Sequence, residues 1–422
     1  MKRLLAVSWE MPPMYGPRAT QVSRSLNALA ALGWRTTVIC MAPRRRGPHW
    51  PDAADPPAAC DGVVYHRVPS PEEWLTIRAL WRVAPWARYF PDEKWVWIPG
   101  ATRAALADAR ATSFDGLITF GQPWSDHVVG LRVRRATGLR WVAHFSDPWV
   151  DSPYARGLAF HRARARRLEA EVVRQADALV FVSRQTADLV MRKYPEACRS
   201  KASVVPHGYD LGDLPVVSRE TPSGRPMTLV YTGRFYDGIR TPIVLFDALQ
   251  RLATRTPLDG RVHVELVGPF VSTYRREAAL RGLDRVIAFR DRVPPDAARR
   301  LAAAADVLLV IDAPSAGPGV FLPSKAIEYL MFRKPILGLT GANGATAELL
   351  REVDCPIADP ADPAAVASAI ESLLQLHESR RLEVSGEFAR QASRFDIRRT
   401  TETLDGILDR AFHPREPLAP CA

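Results

Sequence analysis

Residues 321–333 read FLPSKAIEYLMFR, and the residue types there invite chemistry on an anion. Ser324 is a candidate helix N-cap, which puts Lys325 in the first turn and Glu328 about one turn further along the same face. A capping box needs its acid three residues after the cap, and Glu328 comes four after Ser324. A lysine beside the positive end of a helix dipole costs roughly 0.3–1 kcal/mol at an exposed site. An anion docked there would offset that cost. A second cationic pair lies in LVYTGRFYDGIRTPIVLFDAL, residues 229–249. A strand ends at Thr232-Gly233, Arg234 follows at its carboxyl end, a turn passes through Asp237-Gly238, and Arg240 precedes a helix opening at Thr241-Pro242. Guanidinium forks and helix N–H groups together can hold a diphosphate. Taken alone, the two arginines also read as ordinary surface charge.

Two further stretches carry weaker signals. In SWEMPPMYGPRATQVSRSL, residues 8–26, Gly16 sits in a loop leading to a helix around Ala19, where backbone can approach a ligand closely because glycine tolerates unusual dihedrals. The strand in LRWVAHFSDPWVD delivers His144, then Asp147 and Trp149, at a carboxyl edge. A lone histidine is more often structural, and Asp147 before proline can be a simple turn initiator. A strand end in a crevice also permits a functional role.

The elements that must position these residues alternate between short apolar runs and helical stretches, the pattern of α/β units with parallel sheets. Strand candidates in the first half are RLLAVSW, RTTVICM, VVYHRV, DGLITF, LRWVAHF, DALVFVS and ASVVPH; ATQVSRSLNALAALG is a helix closing on Gly33. A second series, TLVYTG, VHVELVG, VIAFR, DVLLVI and PILGL, follows a polar linker near 211–226. The expected organisation is two doubly wound domains, 1–212 and 213–395, with a helical tail at 396–422 that packs back on the first. The final sixty or so residues carry helical patterns and no strand signal. Neither half contains a GxGxxG or a Walker P-loop, so no simple NAD or ATP assignment follows.

The composition is that of a globular protein: 422 residues, 47% hydrophobic and 24% charged, with no apolar run as long as a membrane span. The N-terminus MKRLLAVSWEMPP reads as a first strand rather than a signal-peptide core. Five cysteines show no CxxC spacing and suggest reduced thiols in a cytoplasmic setting. A net charge of +11 points to an anionic partner or to an arginine-rich genome. No zinc-finger spacing or RNP-like aromatic motif is present, which argues against nucleic acid.

In their order and spacing, PPMYGPRAT, FGQPWSDHVVGLRV with WVAHFSDPW, VVPHGYD, YTGR and LPSKAIEYLMFRKPIL resemble the GT-B fold glycosyltransferases of family 4, over nearly the whole chain. That resemblance implies two Rossmann-like domains facing a cleft, the first receiving the acceptor and the second holding a nucleotide-sugar donor. It implies transfer with retention at the anomeric carbon, the donor phosphate assisting acceptor deprotonation. Arg234 matches the family's first diphosphate-binding arginine, preceded by Gly233, and Arg240 stands where a lysine is usual, a swap that keeps charge and alters geometry. Glu328 matches the glutamate that grips the donor ribose, and Lys325 would meet phosphate. Gly16 belongs to the loop that approaches the ligand. His144 falls where relatives have aspartate or a sugar-contacting histidine, and Asp147 fits the family string directly. One position departs: the first glutamate of the family's pair is Val320 here. The resemblance calls for no metal and no cofactor beyond the donor substrate.

The segment EEWLTIRALWRVAPWARYFPDEKWVW combines five tryptophans with Arg78, Arg82 and Arg88. Trp74, Ile77, Trp81 and, less regularly, Trp86 would form an apolar face suited to a membrane interface or, alternatively, to a core or sugar subsite. With Arg162, Arg164, Arg166 and Arg167 in HRARARRLEAEVVR, it makes peripheral contact with anionic lipid an open reading. The leading expectation is a sugar transferase for a carbohydrate or lipid-linked acceptor in cell-surface polysaccharide assembly. Its rivals are a natural-product glycosyltransferase and a non-catalytic GT-B scaffold, the latter motivated by Val320. FRDRVPP, residues 289–295, is the candidate region for base contacts.

Overall fold

A computed structural model describes residues 1–14, 16–42, 60–154, 158–216, 224–236, 239–269, 272–313 and 319–414. The Asp237-Gly238 turn and part of the 211–226 linker lie outside them. The chain forms two compact units, Met1–Gly208 joined by the chain from Ile397 onward, and Tyr209–Asp396. The chain first passes between the units at Gly208–Tyr209, just before the polar linker near 211–226. A Cβ on Gly208 would stand 2.6 Å from the Ile397 Cα, so only glycine allows the approach of those two segments.

In the first unit the strands are β1 (Lys2–Val7), β2 (Trp34–Met41), β3 (Val63–Val68), β4 (Gly116–Gly121), β5 (Trp141–Phe145), β6 (Ala178–Phe181) and β7 (Ala202–Val204). All ladders are parallel, in the order β3-β2-β1-β4-β5-β6-β7. Such strands are covered on both faces and read as continuous apolar runs, which is why they are visible in sequence. Side chains alternate between two core layers. Leu5 and Val7 enter the layer holding Trp97 and Trp141, whereas Leu4 and Ala6 enter a layer closed by Leu404, Ile407, Leu408 and Phe412 of the C-terminal helix Ile397–Phe412. The tail thus completes one face of the first sheet.

The second unit contains β8 (Met227–Thr232), β9 (Val262–Val267), β10 (Ile287–Arg290), β11 (Val307–Ile311), β12 (Ile336–Leu339) and β13 (Ile357–Ala358). Their order is β10-β9-β8-β11-β12-β13, again with parallel ladders. In both sheets the strand order reverses once, between β1 and β4 and between β8 and β11. A ligand crevice opens beyond the strand carboxyl ends at such a point. The two-residue β13 has no counterpart among the expected strands. Helices at Pro363–Glu378, Gly386–Ala392 and Ile397–Phe412 account for the strand-free final stretch.

Among the described residues no helix is long and apolar enough to cross a membrane. Cys40, Cys60 and Cys355 are free thiols.

Candidate functional site

At the switch point of the second sheet, the β8–β11 pairing is recorded only at Val307↔Leu229 and Leu308↔Val230. Beyond it, the Tyr329 hydroxyl accepts from Thr232 N at 3.0 Å and lies 3.0 Å from Thr232 Oγ1. Tyr329 is buried in the helix Ser324–Leu330, so this contact fastens that helix to the carboxyl end of β8. Lys325 lies one turn before Tyr329 on the same face. The loop bearing Arg234 and Arg240 and the helix bearing Lys325 and Glu328 are thereby brought together.

Within the loop, Tyr236 and Arg240 exchange backbone hydrogen bonds of 2.9 and 2.8 Å, closing a tight turn. The Arg240 guanidinium lies 5.1 Å over the Tyr236 ring and donates to Arg234 O at 3.0 Å. Its Nε is buried with no hydrogen-bond partner. The Arg234 side chain is exposed and pairs with no described residue. A Cβ on Gly233 would crowd the Tyr231 hydroxyl at 3.0 Å, and that hydroxyl donates to Arg234 O at 3.1 Å. The following helix begins at Ile243 with Pro242 as its cap, one residue later than expected.

Ser324 is not the N-cap of its helix. Pro323 caps it without a side-chain bond, and Ser324 is the first helical residue. The cationic anomaly is nonetheless answered locally, because Lys325 Nζ donates to Glu328 Oε2 at 2.9 Å. An ammonium has three donors, so this pair leaves Lys325 capacity for an anion. Val320 is buried beside Gly319, which is bridged to Gly344 at the start of the helix Ala345–Glu352.

Beside β11, Asp312 accepts from Thr340 Oγ1 at 2.9 Å, and burial pushes its carboxyl up. A cleft of about 260 Å³ there is lined by Thr241, Val244, Asp247, Asp312, Ala361 and Pro363. Its polar lining includes two carboxyl groups, Asp312 and Asp247, the latter paired with Arg281. The base-contact candidate, FRDRVPP, starts in β10; its Arg290 pairs with Glu265 and its Asp291 with Arg275.

In the first unit the carboxyl ends of β1, β4 and β5 gather a second polar group. His144 is buried with its Nδ1 unpartnered, 5.3 Å from the Phe120 ring and 5.8 Å from His207. Burial first, then the nearby Arg18 charge, lowers its pKa to about 3, so the ring is neutral at ordinary pH. The Asp147 carboxylate accepts from Gln122 Nε2 at 2.7 Å. Ser146 Oγ is buried and unpartnered. Gly16 has φ −163°, an extended conformation open to any residue, so unusual dihedrals are not its role. A Cβ there would fall 1.7 Å from Glu10 Oε1; the glycine makes room for a carboxylate at the N-terminus of the helix Pro17–Ala31.

Sequence reasoning passed over Arg18 and Asp126. Arg18 is buried, donates to Gly121 O at 2.8 Å and Gln122 O at 3.1 Å, and keeps Nη1 unpartnered. It holds the turn whose Gln122 reaches Asp147. Its signal was legible: a cation in the first turn after Gly16-Pro17 is the same anomaly that marks Lys325. Asp126 is fully buried, accepts from Trp9 N at 2.9 Å, and is pushed well above the usual carboxylate range by burial. No three described His, Cys, Asp or Glu side chains cluster as metal ligands.

Residues 18–208 match the model of the Glycosyl transferase 4-like domain, and residues 226–376 match that of Glycosyl transferases group 1. No curated protein matches the chain. Sucrose-phosphate synthase from Thermosynechococcus elongatus is similar in structure, with a TM-score of 0.71 at 18% identity over 98% of this chain and 99% of that one. A glycosyltransferase from Rickettsia africae gives a TM-score of 0.68 at 13% identity, covering 98% and 99%. The E. coli trehalose-6-phosphate structure bound with UDP-2-fluoro glucose gives 0.63 at 14%, covering 97% and 99%. With two glycosyltransferase domains in tandem on two parallel-sheet units, this chain belongs to the GT-B glycosyltransferases.

Proposed function

We propose that the protein transfers a sugar, with retention, from a nucleoside diphosphate sugar to a carbohydrate or lipid-linked acceptor in cell-surface polysaccharide assembly, working in the cytoplasm at the inner face of the membrane. The observation that carries the donor half is the Thr232–Tyr329 contact, which joins the Arg234–Arg240 loop to the helix bearing Lys325 and Glu328. In this reading Arg234, Arg240 and Lys325 hold the diphosphate, with Gly233 letting the backbone come close, and Glu328 accepts from the ribose hydroxyls. As the glycosidic bond breaks, negative charge develops on the leaving phosphate. The three cations stabilise it, and the reading calls for no metal.

The acceptor half rests on His144 and Asp147 at the β5 end. A neutral imidazole with a free Nδ1 can bond a sugar hydroxyl without adding positive charge. Asp147, oriented by Gln122, can accept from a second hydroxyl. Gly16 serves this side by seating Glu10 rather than by touching a ligand.

Release of nucleoside diphosphate from UDP-, GDP-, ADP- and dTDP-sugars, with and without acceptor pools, tests the reading. Release from one base class, abolished by Arg234→Ala, is expected. The presence of UDP-2-fluoro glucose in a similar structure makes UDP-sugars the first to try. Val320 favours a second reading, a scaffold that binds nucleotide without turnover, because no carboxylate stands at that position. Binding without release from any donor would establish it.

A further inference from the structure

We propose that residues 74–90, together with the start of the helix Ala159–Gln175, form a surface that docks the first unit on an anionic membrane, with phospholipid headgroups as the partner. The helix Leu75–Val83 has no buried residue. Ile77 and Trp81 of the expected apolar face turn partly inward, and a different stripe faces out: Leu75, Ala79 and Val83, one turn apart, with Leu75 81% and Val83 80% exposed. Trp74 is 63% exposed at its head.

Aromatic contacts extend this stripe to a second element. Trp86, 51% exposed, meets Phe160 at 6.0 Å and Phe90 at 6.1 Å, while His161 Nε2 lies 2.8 Å from Trp86 O. Trp86 follows Val83 by three residues, and with Phe160, 46% exposed, it adds aromatic surface to that of the aliphatic stripe.

The charge around the patch has one sign. Arg78 and Arg82 flank Leu75 and Val83 on the same side of their helix, and Arg88 lies 5.3 Å over the Trp81 ring. On the second element Arg162, Arg164, Arg166 and Arg167 are exposed, with Arg164 5.6 Å over Phe90. No Asp or Glu occurs in residues 74–91 or 158–168. Of the flanking acids whose side chains are described, Glu72 is buried against Lys94, Asp92 accepts from Ser125, and Glu93 pairs with Arg88. Exposed aliphatics and tryptophans ringed by arginines suit the boundary between acyl chains and anionic headgroups. A phosphate backbone alone has no use for Leu75 and Val83.

This inference deepens the membrane location in the proposed function and rests on that part of it, but it needs neither donor nor acceptor, so vesicle binding and sugar transfer fail separately. Co-sedimentation with vesicles of phosphatidylcholine, with and without phosphatidylglycerol, tests it at low and high salt. Wild type is expected on the anionic vesicles alone, less at high salt. Alanine at Arg78, Arg82, Arg164 and Arg166 together is expected to lower binding on the order of several hundredfold, from about fivefold per arginine. Trp74→Ala with Val83→Ala lowers it as well. Alanine at Arg103, Arg110, Arg132 and Arg135, an equal loss of charge elsewhere in the unit, leaves most binding intact. Equal loss in both arginine sets, no binding to anionic vesicles, or retention on an oligonucleotide with none on vesicles would overturn the proposal.

Discussion

At the residue scale, the three histidines near the β4 and β5 ends behave as a set. Burial lowers His144 to about 3 and holds His127 and His207 well below their ordinary value, so all three are neutral in the folded protein at neutral pH. Once unfolded, each titrates near about 6.5 and binds a proton that the folded state refuses. Their contribution to stability is therefore fully present above about 6.5 and is lost as pH falls towards the folded pKa. Asp126, shifted upward by burial, acts in the opposite direction because its folded form prefers the proton. Urea unfolding of wild type and His144→Gln between neutral pH and about 4 separates the terms. Wild type is expected to lose more stability over that interval than the variant; parallel curves would show that His144 is not held neutral. The placement of His144 and Asp147 at a strand carboxyl end was legible because strand ends are legible. The cation of Arg18 in a first helical turn was visible and passed over, whereas its burial and that of Asp126 were not visible, because they depend on partners about a hundred residues away in sequence, at Gly121 and Trp9.

At the scale of elements, the helix Ser324–Leu330 is too short to hold its own position, and Tyr329 holds it to β8. Replacing Tyr329 with Phe keeps the buried ring and removes the acceptor for Thr232 N. Leaving that group unpaired is expected to cost about 1–3 kcal/mol. The same change loosens Lys325 and Glu328 against Arg234, so nucleoside diphosphate affinity falls with it. Chemical denaturation together with nucleotide titration checks both effects; a stable variant with unchanged affinity would show that the Tyr329 contact does not organise a donor site. The sequence showed the strand and helix but not this contact, since its partners are 97 residues apart. It also misread the helix start, placing the cap at Ser324 because serine is a good cap, while Pro323 set the backbone instead. On the segment 74–90 the tryptophans drew the expected stripe through Ile77 and Trp81. The exposed stripe is aliphatic and lies on the opposite side of the helix.

At the scale of the molecule, two sheets with the same single reversal of strand order place their ligand-ready edges where apolar runs end. Twelve of the thirteen described strands stood out, the central ones because buried parallel strands need uninterrupted apolar residues. β13 escaped because two residues between prolines carry no period. The C-terminal helix returns to the first unit, as the sequence reading expected, but the residues that hold it there, Leu404, Leu408 and Phe412 packing under β1 and β2, form a long-range match that local pattern does not name. The central claim is that the second unit holds a nucleoside diphosphate on Arg234 and Lys325. Thermal unfolding with UDP, GDP, ADP and dTDP tests it most directly, on wild type, Arg234→Ala and Lys325→Ala. Ligand at about a hundred times Kd stabilises by roughly 2.7 kcal/mol. The account predicts a shift with one base, lost in both variants, while Arg234→Ala alone melts as wild type without nucleotide because its side chain is exposed and has no described partner. No shift with any diphosphate, or a shift that survives in both variants, would contradict it.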